Sequence, residues 1–176
     1  MRNLLDFLQP HRADDEVFSL SSGERILIQK YFLTFHQWTG APPPYTYGNK
    51  AVLDWNGEPV FAELAVLRLF QSHGWDGVWI DSYGGKFRTG LPQVVDPVPL
   101  PEPQTVLLKL IEARTGRSGG CWDVFLWKAN SVVFVEVKRR QKDKIQINQI
   151  RWLEKARMCG IEASQFAILE WDVSGT

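Results

Sequence analysis

The chain has 176 residues, of which 44% are hydrophobic and 23% charged, which excludes wholesale disorder and allows a substantial core. The net charge is zero, yet residues 109–157 hold 12 Lys and Arg against 5 Asp and Glu, a basic segment suited either to a polyanionic partner or to a solvated face. Two cysteines without CxxC spacing and three scattered histidines exclude a disulfide scaffold and a zinc-ligand pattern.

No apolar run approaches the roughly 18 residues of a membrane span, and the opening MRNLLDFLQPHRADDE lacks a secretory core. The expectation is a cytoplasmic, reduced protein with no membrane partner. Ser21-Ser22-Gly23-Glu24 fits a capping box and predicts a helix of about four turns over ERILIQKYFLTFHQW. APPPY at 41–45 ends it as an extended connector. The chain then divides into an N-terminal helical appendage with its connector, 1–50, and a main domain, 51–176.

A second helix is predicted from Pro59 to His73, with Gly74 as its C′ residue. GVWIDSY (77–83) reads as a strand, and the Gly- and Pro-rich residues 84–103 as a long surface loop. A third helix, about Gln104 to Arg114, is closed by Gly116. CWDVFLW (121–127) and SVVFVEVK (131–138) are strands around a short polar turn. A fourth helix runs from about Lys144 to Met158 and stops at Gly160, and QFAILEW (165–171) is the last strand. This order predicts an α/β domain with a mixed central sheet flanked by helices.

The stretch VVFVEVKRR (132–140) carries the chemistry. Alternation puts Val133, Val135 and Val137 on one face, and Val132, Phe134, Glu136 and Lys138 on the other. A hairpin centred on Ala129-Asn130 sets Asp123 opposite Glu136, with Cβ atoms roughly 5 Å apart. Like charges in that register need a cation between them. Lys138 could serve, and so could Mg²⁺, which takes carboxylate oxygens and keeps several waters. Glu63 shares a helical face with Leu67 and Phe70, so its carboxylate should look inward. Gln149 interrupts the apolar stripe of Ile145, Trp152 and Ala156 and should point at the sheet.

GGCWDVFLW, VVFVEVKRRQKDK and INQIRWLEKARMCG resemble the core of a PD-(D/E)XK nuclease, most closely its VRR-NUC branch. The branch pattern of Asp, Glu-Val-Lys, a further Asp and Gln-x-x-Trp falls on Asp123, Glu136-Val137-Lys138, Asp143 and Gln149-Ile150-Arg151-Trp152. Trp122 stands where the family usually has proline, and Arg139 where glycine is common. The resemblance implies a restriction-endonuclease-like fold and a metal-dependent nuclease hydrolysing DNA phosphodiester bonds, endonucleolytic and structure-specific. It implies Asp123 and Glu136 as ligands of Mg²⁺, with Mn²⁺ as a substitute and Glu63 as a further or water-mediated ligand. Lys138 and Gln149 would complete the catalytic set, and a homodimer would suit a junction substrate.

Arg139, Arg140, Lys142, Lys144 and Arg151 are the expected contacts to the nucleic-acid backbone. Each residue also has a plainer reading. Glu63 could pair with an arginine, Gln149 could be a core amide, and Arg139-Arg140 a solvated sheet edge. A catalytically silent module binding nucleic acid or protein on the same fold is the alternative function.

Overall fold

The computed structural model describes residues 4–83, 85–115 and 119–174. Among them, nine strands form one mixed sheet. The strands are β1 (Glu16–Ser19), β2 (Arg25–Gln37), β3 (Leu53–Trp55), β4 (Glu58–Val60), β5 (Asp76–Asp81), β6 (Lys86–Arg88), β7 (Val124–Lys128), β8 (Ser131–Arg139) and β9 (Phe166–Val173). Their order is β4-β3-β2-β9-β8-β7-β5-β6, with β1 paired to β2. β9 runs parallel to both β2 and β8, and the other pairings are antiparallel.

Helix α1 (Ala62–Ser72) covers one face, where Leu64, Leu67 and Phe70 join a core that contains Val133, Val135 and Val137. Helices α2 (Glu102–Thr115) and α3 (Ile147–Met158) lie on the other face, over Phe125, Phe134 and Phe166. Both faces of β8 are therefore buried, which is why its sequence reads as a nearly continuous apolar run. Among the described residues, no helix is long and apolar enough to cross a membrane.

The predicted N-terminal helix is a β-strand. Residues 25–37 form β2, and Ser21-Ser22-Gly23-Glu24 is the turn of the β1–β2 hairpin, closed by Leu20 N–H to Glu24 O and the reverse-direction bond Gly23 N–H to Leu20 O. The cause is a change of buried face along one strand. Ile26 and Ile28 pack into the α2/α3 layer, whereas Tyr31, Leu33 and Phe35 pack into the α1 layer. The buried positions thus step by two, then three, then two, and this shift of phase imitates a helical period.

The predicted loop 84–103 contains β6, which is held on β5 by the pairs Asp81↔Lys86 and Trp79↔Arg88. It also includes the first turn of α2, which begins at Glu102. The predicted closure of that helix at Gly116 lies outside the described residues. The fourth predicted helix begins three residues late, at Ile147. Asp143 closes a turn by accepting the Arg139 N–H at 2.8 Å, and Gln146 serves as the N-cap.

Candidate active site

The β7–β8 hairpin has the expected register, from Lys128↔Ser131 to Val124↔Val135, with Ala129 at φ +50° in its turn. One step further, Asp123 and Glu136 bring their carboxyl groups close enough to share a proton. Asp123 Oδ2 accepts the Val137 N–H at 2.9 Å. Glu136 is 1% exposed; Lys138 Nζ stands 2.8 Å from its Oε1, and Gln149 Nε2 donates to the same oxygen. Among the described residues no donor reaches Glu136 Oε2, although it is buried.

Glycine and tryptophan lock Asp123 against α3. Gly120, at φ +85°, passes so near the first turn that a β-carbon would run into the Asn148 carbonyl. Trp122 is fully buried and its Nε1 donates to Gln149 O at 3.2 Å. The residue that departs from the usual proline therefore pins the helix bearing Gln149 to the strand bearing Asp123. The α3 cap contributes as well, because Gln149 Oε1 accepts the Gln146 N–H at 2.8 Å and so fixes the amide's orientation.

This crowding shifts both acids. Burial, then the charges of Glu136 and Glu63, push Asp123 well above the usual carboxylate range, against the Val137 N–H. Burial also raises Glu136, while Lys138, Asp123 and Gln149 oppose it. Two acids this close titrate as a pair and hold a proton more tightly than free carboxyls.

Glu63 approaches from α1. Its Oε1 is paired with Lys50 Nζ at 2.5 Å, and its buried Oε2 has no hydrogen-bond partner among the described residues. Glu63 and Asp123 line the same cleft of about 440 Å³. No group of three or more His, Cys, Asp and Glu side chains suited to a metal ion occurs among the described residues. The carboxylates gathered here are those of Asp123 and Glu136, with Glu63 lining the same cleft as Asp123.

The five predicted backbone contacts lie in different surroundings. The Arg139 guanidinium lies 5.2 Å over the Trp171 ring, with Nε 3.6 Å from Asp172 Oδ1, and Arg140 lies 4.5 Å over Phe32. Lys142 is exposed. Lys144 lines a hollow with Lys138 and Glu170, whereas Arg151 lines a different one with Asn148 and Lys155.

The cleft beside Asp123 also holds residues that sequence reasoning missed: Tyr45, Tyr47, Lys50, Asp81 and Tyr83. Asp81 is 2% exposed; its Oδ2 accepts from Arg88 Nε at 2.6 Å and from the Tyr47 hydroxyl at 2.5 Å. Tyr47, Gly48 and Asn49 all have positive φ, which for the two non-glycine residues costs on the order of 1 kcal/mol each. The YTYGNK segment offered one signal, since Gly-Asn favours such a backbone. Nothing local marked Asp81 and Arg88 as partners.

The VRR-NUC domain model matches residues 67–166, while no curated protein and no solved structure matches the chain. The matched span is more than half of the chain and includes the whole β7–β8 hairpin with Asp123, Glu136, Lys138 and Gln149. The chain belongs to the VRR-NUC family, a PD-(D/E)XK-like family of nuclease domains.

Proposed function

We propose that the domain is a divalent-metal-dependent endonuclease that hydrolyses DNA phosphodiester bonds, with Mg²⁺ as its ion and Mn²⁺ as a substitute. One observation carries this reading: two carboxyl groups converge, Glu136 buried and Asp123 half-buried, and among the described residues no donor reaches Glu136 Oε2. Two such charges are costly to bring together, and the single ammonium of Lys138 neutralises only one of them. Hard carboxylate oxygens fit Mg²⁺, which needs few protein ligands because it retains water and takes phosphate oxygens.

Asp123 and Glu136 would hold the ion. When bound there, it would lower the pKa of a coordinated water and neutralise charge on the scissile phosphate. Lys138 has three donors and spends one on Glu136 Oε1, so it can hold the attacking water and meet the negative charge that develops on the phosphate. Gln149 fixes the orientation of Glu136. Glu63 keeps Lys50 beside the cleft. Arg140, Lys142, Lys144 and Arg151 would hold backbone phosphates, adding affinity with little sequence information.

The test incubates purified protein with plasmid, flap and junction DNA, with and without Mg²⁺ or Mn²⁺. Cleavage that depends on the ion and is lost in Lys138→Ala is expected. Metal-independent binding with no cleavage of any substrate would leave a binding module instead.

A further inference from the structure

The cleft beside Asp123 is walled by tyrosine. Tyr47 makes edge contacts with Tyr45 (centroids 4.8 Å apart, 65° between planes), Tyr83 (5.7 Å, 71°) and Trp79 (6.2 Å, 84°). Its hydroxyl is tied to Asp81, which Arg88 anchors, so the central ring is fixed. The outer rings are open: Tyr83 is 87% exposed and Tyr45 38%. Tyr83 thus meets Tyr47 by an edge and turns most of its surface to solvent in the cleft that Asp123 lines.

We infer that Tyr45, Tyr47 and Tyr83 form a stacking wall for an unpaired nucleobase adjoining the scissile phosphate. The inference rests on the nuclease reading and specifies the substrate of that same site. Asp123 lines the cleft, so a phosphate held at the carboxylate pair brings its own nucleoside against the rings. The cleft, at about 440 Å³, has room for one nucleotide. Lys50 and Ser82 also line it and carry polar groups that suit the sugar and base edges. A base within a duplex has both faces covered by its neighbours, so only a splayed or single-stranded base can meet the wall. Flaps, junction arms and single strands supply such bases, and a fully paired duplex does not.

The test compares binding of two labelled strands by fluorescence anisotropy in EDTA: a short oligothymidylate and the same strand with abasic residues at its centre. Both carry the same phosphates, so repulsion from the metal-free carboxylates cancels. Wild type should prefer the base-bearing strand by about tenfold, the scale of stacking one base on an aromatic ring. The double variant Tyr45→Ala/Tyr83→Ala should lose that preference, and Tyr45→Phe/Tyr83→Phe, which keeps the rings, should retain it. Circular dichroism confirms that each variant is folded.

Equal affinity of wild type for both strands overturns the inference. So does an undiminished preference in the alanine variant, or failure to bind either strand. Cleavage assays with Mg²⁺ separate this result from the nuclease reading: cleavage without a base preference removes the wall and keeps the nuclease. A base preference without cleavage does the opposite.

Discussion

Gln149 joins Glu136 to the first turn of α3: its Nε2 donates to the carboxylate and its Oε1 accepts the Gln146 N–H. One side chain thus serves as helix cap and as site residue. Gln149→Ala should cost about 1 kcal/mol through the lost cap and release Glu136, lowering both melting temperature and cleavage rate. Gln149→Glu separates the two roles, because a carboxylate oxygen can still accept the Gln146 N–H but cannot donate to Glu136. It should keep the helix and still cleave poorly. Wild-type cleavage by Gln149→Ala would remove Gln149 from the site.

Asp123 gives a pH signature. Its carboxyl is raised above the ordinary value of 3.8 in the folded protein, so the folded state holds protons that the unfolded state has released. The associated stability is therefore complete below about pH 4 and is lost as pH rises through the folded pKa. Once ionised in metal-free protein, the group opposes folding. Asp123→Asn keeps an oxygen for the Val137 N–H and removes the charge, so it should melt above wild type at neutral pH, with the gap closing toward pH 4. Mg²⁺ should raise the melting temperature of wild type alone. A variant that melts below wild type without metal would refute this assignment of strain.

Lys138 and Glu136 form a pair whose side chains are 13% and 1% exposed. Lys138→Ala should lower the cleavage rate by about 10²- to 10³-fold, the usual loss when a charge-stabilising donor is removed. Lys138→Arg should not restore it, because a planar guanidinium cannot replace a compact ammonium. Metal-dependent thermal shift separates causes. If Lys138→Ala still responds to Mg²⁺ while cleavage is gone, Lys138 acts on the substrate and not through the ion.

The first strands are open to a direct test of autonomy. β2 pairs with β9 from Gln29↔Ala167 to Phe35↔Val173, and β9 in turn carries β8. A chain beginning at Pro42 loses β1 and β2, strips one edge of β9 and uncovers Ile168 and Leu169. Circular dichroism and a thermal melt should show no cooperative fold. A cooperative melt would make residues 1–41 a separable appendage.

Legibility in the sequence followed the range of the interactions involved. The Asp123–Glu136 register could be read because a tight turn and strict alternation fix every pair in a hairpin. Gln149 stood out because it broke a helical stripe. β2 could not be read, since its partner β9 lies more than a hundred residues away and its buried face changes midway. Lys50 with Glu63 was hidden for a related reason, since the connector carrying Lys50 meets α1 only in the folded domain. Asp81 and Arg88, by contrast, share one hairpin whose second strand lies in a stretch that reads as loop.

Tyr47 provides the last test. Burial, reinforced by the neighbouring Asp81 and opposed by Arg88, pushes its hydroxyl up to about 12 from an ordinary 10.0. The folded protein then keeps a proton that the unfolded chain gives up above pH 10, so the stability linked to Tyr47 is whole below pH 10 and drains away between pH 10 and 12. Ultraviolet titration of the native protein should show a phenolate appearing near pH 12 that Tyr47→Phe lacks. The variant should lose less stability than wild type across that alkaline window. At neutral pH it should be about 1 kcal/mol less stable, for want of the bond to Asp81. Its cleavage at neutral pH should fall modestly, because without the bond to Asp81 the ring at the centre of the wall is no longer fixed. A phenolate signal unchanged by Tyr47→Phe would show that the group ionising near pH 12 is not Tyr47.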